Sequence, residues 1–193
     1  MKSPLSTILN ITSGSIDGSP IVSRTLSELS ESFADRRAYE AALKGGNPVI
    51  YTVTPVKPAE GDGQLHYGLG TILPGKIGNE YFLTKGHAHK RREAAEVYIG
   101  LKGKGVLLLE NIQTGESSMH ELGPNSVVYV PGFTAHRTAN TGSEPFVYIG
   151  IYPADAGHDY EAIGKKNFRS VIIEQNGKPL MVERKDYLDS IKT

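Results

Sequence analysis

From residue 48 onward, short apolar or alternating segments recur, and Gly, Pro or Asn separates each from the next. Alternation with a period of two is typical of strands that turn one face toward a core. The βαβ rhythm of a parallel sheet is absent from this region. Closely spaced short strands with turn signals predict an all-β sandwich or barrel. The predicted strands are PVIYTVTPV, LHYGLGTIL, EYFLT, AEVYIGLKG, GVLLLEN, SSMHEL, SVVYVPG, PFVYIGIYP and SVIIEQ.

The chain of 193 residues fits a single domain, 1–193, with a barrel core at about 48–175. Residues 1–47 are expected to form an extended arm and then one or two short helices that stop at Gly45-Gly46. The C-terminal tail, from residue 178, predicts only a short edge element. Hairpins are predicted at the turn segments 103–105, 113–116 and 140–143.

Composition limits the function classes. The sequence has no cysteine, which excludes disulfides and thiolate metal sites. Lys plus Arg and Asp plus Glu both number 21, so charge gives no reason to expect a nucleic-acid or membrane partner. The sequence shows neither a bilayer-spanning apolar run nor a signal-peptide core. We therefore expect a soluble, cytoplasmic protein.

The segment TKGHAH carries the strongest chemical signal. His87 and His89 are two residues apart, so on a strand they share a face and can bind one metal ion. Glu96 lies on the next predicted strand and can add a carboxylate oxygen. His136 follows a Pro-Gly turn that can bring it back beside the first pair. His66 and His120 lack such neighbours, and we expect them to be structural or exposed.

Three imidazoles and one carboxylate leave coordination positions open on one divalent metal. This set of ligands suits Fe²⁺, Mn²⁺, Ni²⁺ or Zn²⁺ better than Ca²⁺ or Mg²⁺, which prefer oxygen. The four residues are His87, His89, Glu96 and His136.

The same segments resemble the paired motifs of the cupin superfamily. In the first motif the histidine pair leads to Glu96 and, after six residues, to Gly103. In the second, Pro131, His136 and an asparagine follow a position that usually holds glycine. Asn125 occupies that position here, and asparagine tolerates positive φ better than most residues. The resemblance implies a cupin double-stranded β-helix, or jelly-roll, barrel.

A closer resemblance, to the cupin-type phosphoglucose isomerases known mainly from archaea, covers about residues 74–160. TKGHAH, AEVYIGLKGKG, VVYVPGFTAHRTANTGSEPF and IYPADAGHDY carry it. It implies an enzyme of glycolysis and gluconeogenesis that interconverts glucose 6-phosphate and fructose 6-phosphate as a homodimer. It also implies that the four residues named above bind a metal, with Fe²⁺ the first candidate.

The substrate contacts follow from the strand pattern and from the resemblance. On the strand 146–152, Tyr148, Gly150 and Tyr152 share one face, which suits a barrel interior that holds a polar ligand. Lys85 can attract a dianion, whereas Lys90-Arg91-Arg92 is expected to form a solvated turn. The predicted substrate-binding residues are Tyr51, Thr71, Thr84, Gly86, Tyr98, Tyr148, Tyr152, His158 and Tyr160.

The isomerisation moves hydrogen between C1 and C2 of the opened sugar. Glu96 is the predicted base, because a carboxylate beside the metal is well placed to carry the proton. A metal-assisted hydride shift would leave Glu96 as a ligand only, and the sequence does not separate the two.

Three other functions stay open at this point. A dioxygenase or oxidase can use the same ligands on the same fold, and a sugar-binding cupin without activity needs no complete set of ligands. Mannose 6-phosphate is an alternative or additional substrate, because it differs from glucose 6-phosphate only at C2.

Overall fold

Antiparallel strands are the main regular elements of the described part of the chain. The computed structural model describes residues 5–163 and 166–192. The strands are β1 (Leu9–Asn10), β2 (Ser15–Ile16), β3 (Val22–Thr25), β4 (Val49–Val56), β5 (Leu65–Ile72), β6 (Lys76–Ile77), β7 (Glu80–Tyr81), β8 (Ala88–His89), β9 (Glu96–Lys102), β10 (Gly105–Asn111), β11 (Ser117–Leu122), β12 (Val127–Val130), β13 (Thr134–Asn140), β14 (Phe146–Pro153), β15 (His158–Asp159), β16 (Ser170–Gln175) and β17 (Lys178–Glu183). A 3₁₀ helix (Leu26–Leu29) and two α-helices, α1 (Arg36–Gly45) and α2 (Arg184–Ser190), complete the described elements.

Two sheets form the walls of the barrel. One has the strand order β12-β9-β14-β5-β4-β3, and the other has the order β11-β10-β13. Backbone bridges from Leu83 to Ala139 and from His87 to His136 extend the second sheet with the segment that ends in β8. β8 in turn pairs with β15. The predicted all-β cupin barrel is confirmed, and the assignment of residues 1–193 to one domain stays a prediction.

The core lies between the two sheets. Leu107 of β10, Ile72 of β5 and Phe146 of β14 are each at most 1% exposed and belong to one apolar cluster. The 3₁₀ helix and α1 add Leu29 and Tyr39 to that cluster. Burial of this apolar surface is the main favourable term that holds the two walls together.

The N-terminal region contributes more than an extended arm. β1 and β2 pair as a small hairpin, and β3 adds an edge strand to the larger sheet by pairing with β4. The two predicted short helices are present as the 3₁₀ helix and α1. Asp35 caps α1 by accepting a hydrogen bond from the Ala38 N–H at 2.8 Å.

Only one of the three predicted hairpins is a hairpin. The turn at 113–116 joins β10 to β11, which pair directly, and the side chain of Asn111 accepts hydrogen bonds from two of its N–H groups. The turns at 103–105 and 140–143 instead cross from one sheet to the other. Gly103 has φ +76°, and a Cβ there would lie 2.7 Å from the carbonyl oxygen of Pro145. The tight approach of the two walls therefore explains these glycine-containing corners.

The C-terminal tail is more ordered than the sequence predicts. It forms β17, which pairs with β16 along its whole length, and then α2. Tyr187 of α2 is buried in a small cluster with Val171 and Ile173 of β16. No helix within residues 5–163 and 166–192 is long and apolar enough to cross a membrane.

Gly100 provides a test of the packing between β9 and the turn before β12. A Cβ at Gly100 would lie 2.0 Å from the backbone oxygen of Gly123, which cannot move without shifting the turn. We expect Gly100→Ala to lower the free energy of unfolding by about 1–3 kcal/mol, as measured by urea denaturation. Gly123→Ala is the control, because its Cβ would have 3.8 Å of space. Equal effects of the two variants would contradict this account.

Candidate metal centre and substrate cavity

Three separate segments bring the four predicted metal ligands together. His89 lies in β8, His87 stands just before it, and Glu96 is the first residue of β9. His136 lies on β13, where its backbone pairs with that of His87. Both walls of the barrel therefore contribute to one cluster.

The four side chains converge on a small volume. Each offers one ligand atom, and these atoms all lie within 4.8 Å of one another. Oε2 of Glu96 is 3.0 Å from Nε2 of His136 and 3.2 Å from Nε2 of His89. Glu96, His89 and His136 are each at most 4% exposed. Such a group can hold a metal ion.

The hydrogen bonds around the cluster fit a cation at its centre. Nε2 of each histidine and Oε2 of Glu96 are buried and make no well-aligned hydrogen bond to any described residue. The opposite ring nitrogens are occupied: Nδ1 of His89 lies 3.0 Å from the Ala94 carbonyl oxygen, and Nδ1 of His136 lies 3.3 Å from that of Thr134. An Nδ1–H that donates to a carbonyl leaves the Nε2 lone pair free for a metal.

The charges of Glu96 and His87 agree with this arrangement. Burial alone would raise the pKa of Glu96, but contacts with His136 and His89 hold it well below its usual range. Burial, reinforced by the neighbouring His136, lowers the pKa of His87. Glu96 is therefore an anion and His87 a neutral imidazole near pH 7, as metal ligation requires.

The cluster forms part of the wall of a cavity of about 270 Å³. This volume is close to the lower end, about 300 Å³, of typical small-molecule sites. Three glycines on the paired strands β5 and β14 contribute to its wall. A Cβ at Gly70 would lie 2.3 Å from the Tyr148 ring, and one at Gly150 would lie 2.6 Å from Oε1 of Glu96. The third is Gly68, which also lines the cavity.

Comparisons with known proteins assign the chain to a family. The family model of glucose-6-phosphate isomerase (GPI) matches residues 23–189. The chain belongs to the glucose-6-phosphate isomerase family. Curated relatives of that name include those of Pyrococcus horikoshii, 44% identical over 94% of this chain and 96% of the relative, and Thermococcus kodakarensis, 43% identical over 94% and 95%. A relative from Sinorhizobium medicae is 39% identical over 78% of this chain and 71% of its own length.

Most of the predicted substrate residues of this family member lie around the cavity. Those that line it are Tyr51, Thr84, Gly86, Tyr98, Tyr148, Tyr152, His158 and Tyr160. Thr71 does not line it, so its substrate contact stays a prediction that the cavity does not support. β5 turns Gly68 and Gly70 toward the cavity, so Thr71 faces the other way and packs under Gly14. A Cβ at Gly14 would lie 2.2 Å from Oγ1 of Thr71.

Two basic residues at the cavity were not anticipated. Arg24 on β3 pairs in register with Tyr51, and Lys57 follows directly after β4. Both line the cavity. Along β4, every second residue from Tyr51 onward, namely Val53 and Pro55, faces the cavity, and the same alternation places residue 57 there. This signal is present in the sequence alone. Arg24 had no such signal, because the pairing of β3 with β4 is not encoded locally.

Three phenols of the cavity, those of Tyr98, Tyr148 and Tyr152, remain protonated near neutral pH. Burial raises the pKa of Tyr98 and of Tyr148 well above the usual range. Burial, with the nearby Glu96, raises the pKa of Tyr152 to about 12. These side chains can therefore donate hydrogen bonds to an anionic or hydroxylated ligand.

The segment Lys90-Arg91-Arg92 forms a turn with Lys90 and Arg91 exposed, as expected, and both of its arginines also make ion pairs. Arg91 pairs with Asp155 at 2.9 Å, and Arg92 pairs with Asp159 at 2.5 Å. The first pair joins the turn between His89 and Glu96 to the loop before β15, and the second joins it to Asp159, between the cavity residues at 158 and 160.

The two remaining histidines lie apart from the metal cluster, as expected. His66 is 3% exposed, and its Nε2 lies 2.9 Å from the carbonyl oxygen of Ala59. His120 is exposed on β11, with Nε2 3.0 Å from Oγ of Ser118. Both are structural or surface residues.

Removal of one cluster imidazole tests the metal site. Since the loss of groups that merely support a ligand costs about 10–100-fold in metal affinity, we expect His136→Gln to weaken binding by at least about 100-fold. Titration of metal-stripped protein with Zn²⁺ by calorimetry measures this. His120→Gln serves as the matched control and should bind like the parent. Unchanged affinity in His136→Gln would exclude this residue as a ligand.

Proposed function

We propose that this protein interconverts glucose 6-phosphate and fructose 6-phosphate with the help of one divalent metal. One observation carries the proposal: a buried, metal-ready cluster opens into a cavity lined with phenols and glycines, in a chain that belongs to the glucose-6-phosphate isomerase family. The cavity residues that the resemblance predicts for a sugar phosphate support it, with Thr71 as the exception.

His87, His89, Glu96 and His136 would hold the metal. Fe²⁺ is the proposed ion, with Mn²⁺, Ni²⁺ or Zn²⁺ as the alternatives that the same nitrogen and oxygen ligands accept. When bound, the metal supplies Lewis acidity that polarises the carbonyl of the open-chain sugar.

The phosphate group is proposed to bind at the end of the cavity formed by Thr84, Gly86 and Tyr160. A threonine hydroxyl, a backbone N–H and a phenol are all donors for phosphate oxygens. Gly86 has φ +75°, and a Cβ there would lie 3.0 Å from the carbonyl oxygen of His136. The ammonium of Lys85 lies 4.9 Å from the centre of the Tyr160 ring. The local charge is therefore positive, which favours a dianion.

Glu96 is the proposed base. Its Oε2 faces the histidine cluster, whereas its Oε1 lies against Gly150 in the cavity wall, 2.6 Å from where a Cβ of that residue would be. The carboxylate would accept the proton from C2 of glucose 6-phosphate and return it to C1, and the reverse reaction would run the same path. Tyr98, on the same face of β9, would donate a hydrogen bond to the sugar or to Glu96.

Substitution of Glu96 separates proton transfer from a hydride shift. In metal-loaded Glu96→Gln, we expect kcat to fall by about 100-fold or more, since the amide cannot accept the C2 proton. Glu93→Gln in the neighbouring turn is the control for loss of one carboxylate and should keep parental kcat. Metal content is measured in both variants, and near-normal turnover of a fully loaded Glu96→Gln would remove Glu96 as the base.

Arg24 is proposed to attract the sugar phosphate. Its side chain is partly exposed and lies at the cavity, so its charge acts at short range on an incoming dianion. We expect Arg24→Gln to raise KM for fructose 6-phosphate by about 3–10-fold with little change in kcat, and added salt should reduce the difference. Arg37→Gln removes the same charge from an exposed position on α1, and an equal rise in KM there would show that Arg24 acts only through net charge.

The proposal as a whole is tested on metal-stripped protein. Each divalent ion is restored in turn, and conversion of fructose 6-phosphate to glucose 6-phosphate is followed in a coupled assay. Oxygen uptake without isomerisation would favour an oxidase or dioxygenase. The homodimer and the cytoplasmic location belong to the same proposal by family resemblance, and light scattering tests the first.

A further inference from the structure

Arg92 joins the end of β8, which carries His89, to the neighbouring strand β15. One guanidinium nitrogen, Nη1, donates to the carbonyl oxygen of His89 at 2.8 Å, and Nη2 donates to Oδ2 of Asp159 at 2.5 Å. The side chains of Arg92 and Asp159 are 33% and 19% exposed. A planar guanidinium that holds two partners fixes their relative position as well as their distance.

Asp159 stands between two cavity residues. His158 and Tyr160 line the cavity, so by strand alternation the side chain of Asp159 points away from it, toward Arg92. Its other oxygen, Oδ1, accepts hydrogen bonds from the N–H groups of Glu161 and Ala162 at 2.9 and 3.0 Å. Asp159 therefore fixes the course of the chain on both sides of Tyr160.

The segment that Asp159 holds lies directly over the cluster. The His158 ring is 4.3 Å from the His87 ring, and the Tyr160 ring is 5.9 Å from it, measured between ring centres. β15 pairs with β8 over only two residues, and the further backbone hydrogen bonds from Lys90 and Arg91 to the carbonyl oxygens of Gly157 and Ala156 restrain the side before His158, not the side of Tyr160. A small displacement of this segment would move two polar side chains relative to the substrate.

We infer that Arg92 and Asp159 are positioning residues that hold His158 and Tyr160 in place for substrate binding. The inference rests on the proposed function, because it assigns the two held side chains to the same cavity. A partly exposed ion pair contributes little to global stability, so the effect of the pair lies in geometry.

The adjacent ion pair supplies a matched control. Arg91 and Asp155 lie in the same turn and the same loop as the pair above, at 2.9 Å, with side chains 41% and 34% exposed. Neither lines the cavity, and neither Ala154 nor Ala156, which flank Asp155, lines it. Loss of this pair removes the same charges, while Arg92 and Asp159 still hold His158 and Tyr160 in place.

The kinetic experiment compares two sets of metal-loaded variants. The test set is Arg92→Gln, Asp159→Asn and the double variant, and the control set is Arg91→Gln, Asp155→Asn and their double variant. We expect each test variant to raise KM for fructose 6-phosphate by about tenfold, with metal content and melting temperature close to parental. The double variant of Arg92 and Asp159 should raise KM no more than either single variant does, because all three lose the same interaction.

The controls should keep KM within about twofold of the parent. Parental KM in the test set, or an equal rise in both sets, would overturn the inference. If the melting temperature falls in step with activity, the pair is only structural and the inference is also overturned.

A second measurement does not depend on activity. Metal-free protein labelled at its six histidines is examined by NMR, and the ring signals of His158 are assigned with His158→Gln. Arg92→Gln should shift or broaden the His158 signals and leave those of His66 and His120 unchanged, whereas Arg91→Gln should leave all three in place. An unmoved His158 in Arg92→Gln contradicts the positioning role. Absence of isomerase activity in the metal-loaded parent would instead contradict the proposed function.

Discussion

Three imidazole nitrogens and one carboxylate oxygen face one another inside the barrel, and the remaining architecture serves to keep them there. Buried polar atoms without partners cost free energy, and a buried carboxylate costs several kcal/mol more unless it is compensated. Glu96 and His136 are nevertheless almost fully buried, with the atoms that face the centre left without well-aligned hydrogen bonds to described residues. A divalent cation would remove this cost. The burial of these side chains is therefore explained by a metal site, whereas it would be unfavourable in a core without a cation.

The shape of the cavity follows from the same barrel. Bulky phenols and glycines alternate on its wall: Tyr148 packs against the space at Gly70, and Oε1 of Glu96 lies beside the space at Gly150. A side chain at either glycine would collide with these groups, so the glycines let the phenol ring and the carboxylate lie close against the backbone. Close packing around the cavity makes small changes in these positions costly, which suits a site that must present donors in a fixed arrangement.

The sequence predicts local features well and pairings between distant segments poorly. The strands, the four converging ligands and the positive φ of Asn125, 68° in the structure, all depend on local residue patterns. The corners at 103–105 and 140–143 were predicted as hairpins, because turn chemistry does not show whether the next strand stays in the same sheet. Thr71 was predicted from the family resemblance, which is looser in this part of the chain, and a shift of one residue in such an alignment reverses every side chain of a strand.

The ligands of the cluster are spread over fifty positions, from His87 to His136, and the closing backbone pair joins its two ends. A growing polypeptide on the ribosome therefore lacks a complete coordination sphere until nearly three quarters of its length has been synthesised. Early capture of the ion by a nascent segment is disfavoured, and metal uptake follows tertiary closure. Ion selection then depends on the finished barrel and on which cations are available around it, so expression of this protein in hosts with different metal pools should yield different bound ions.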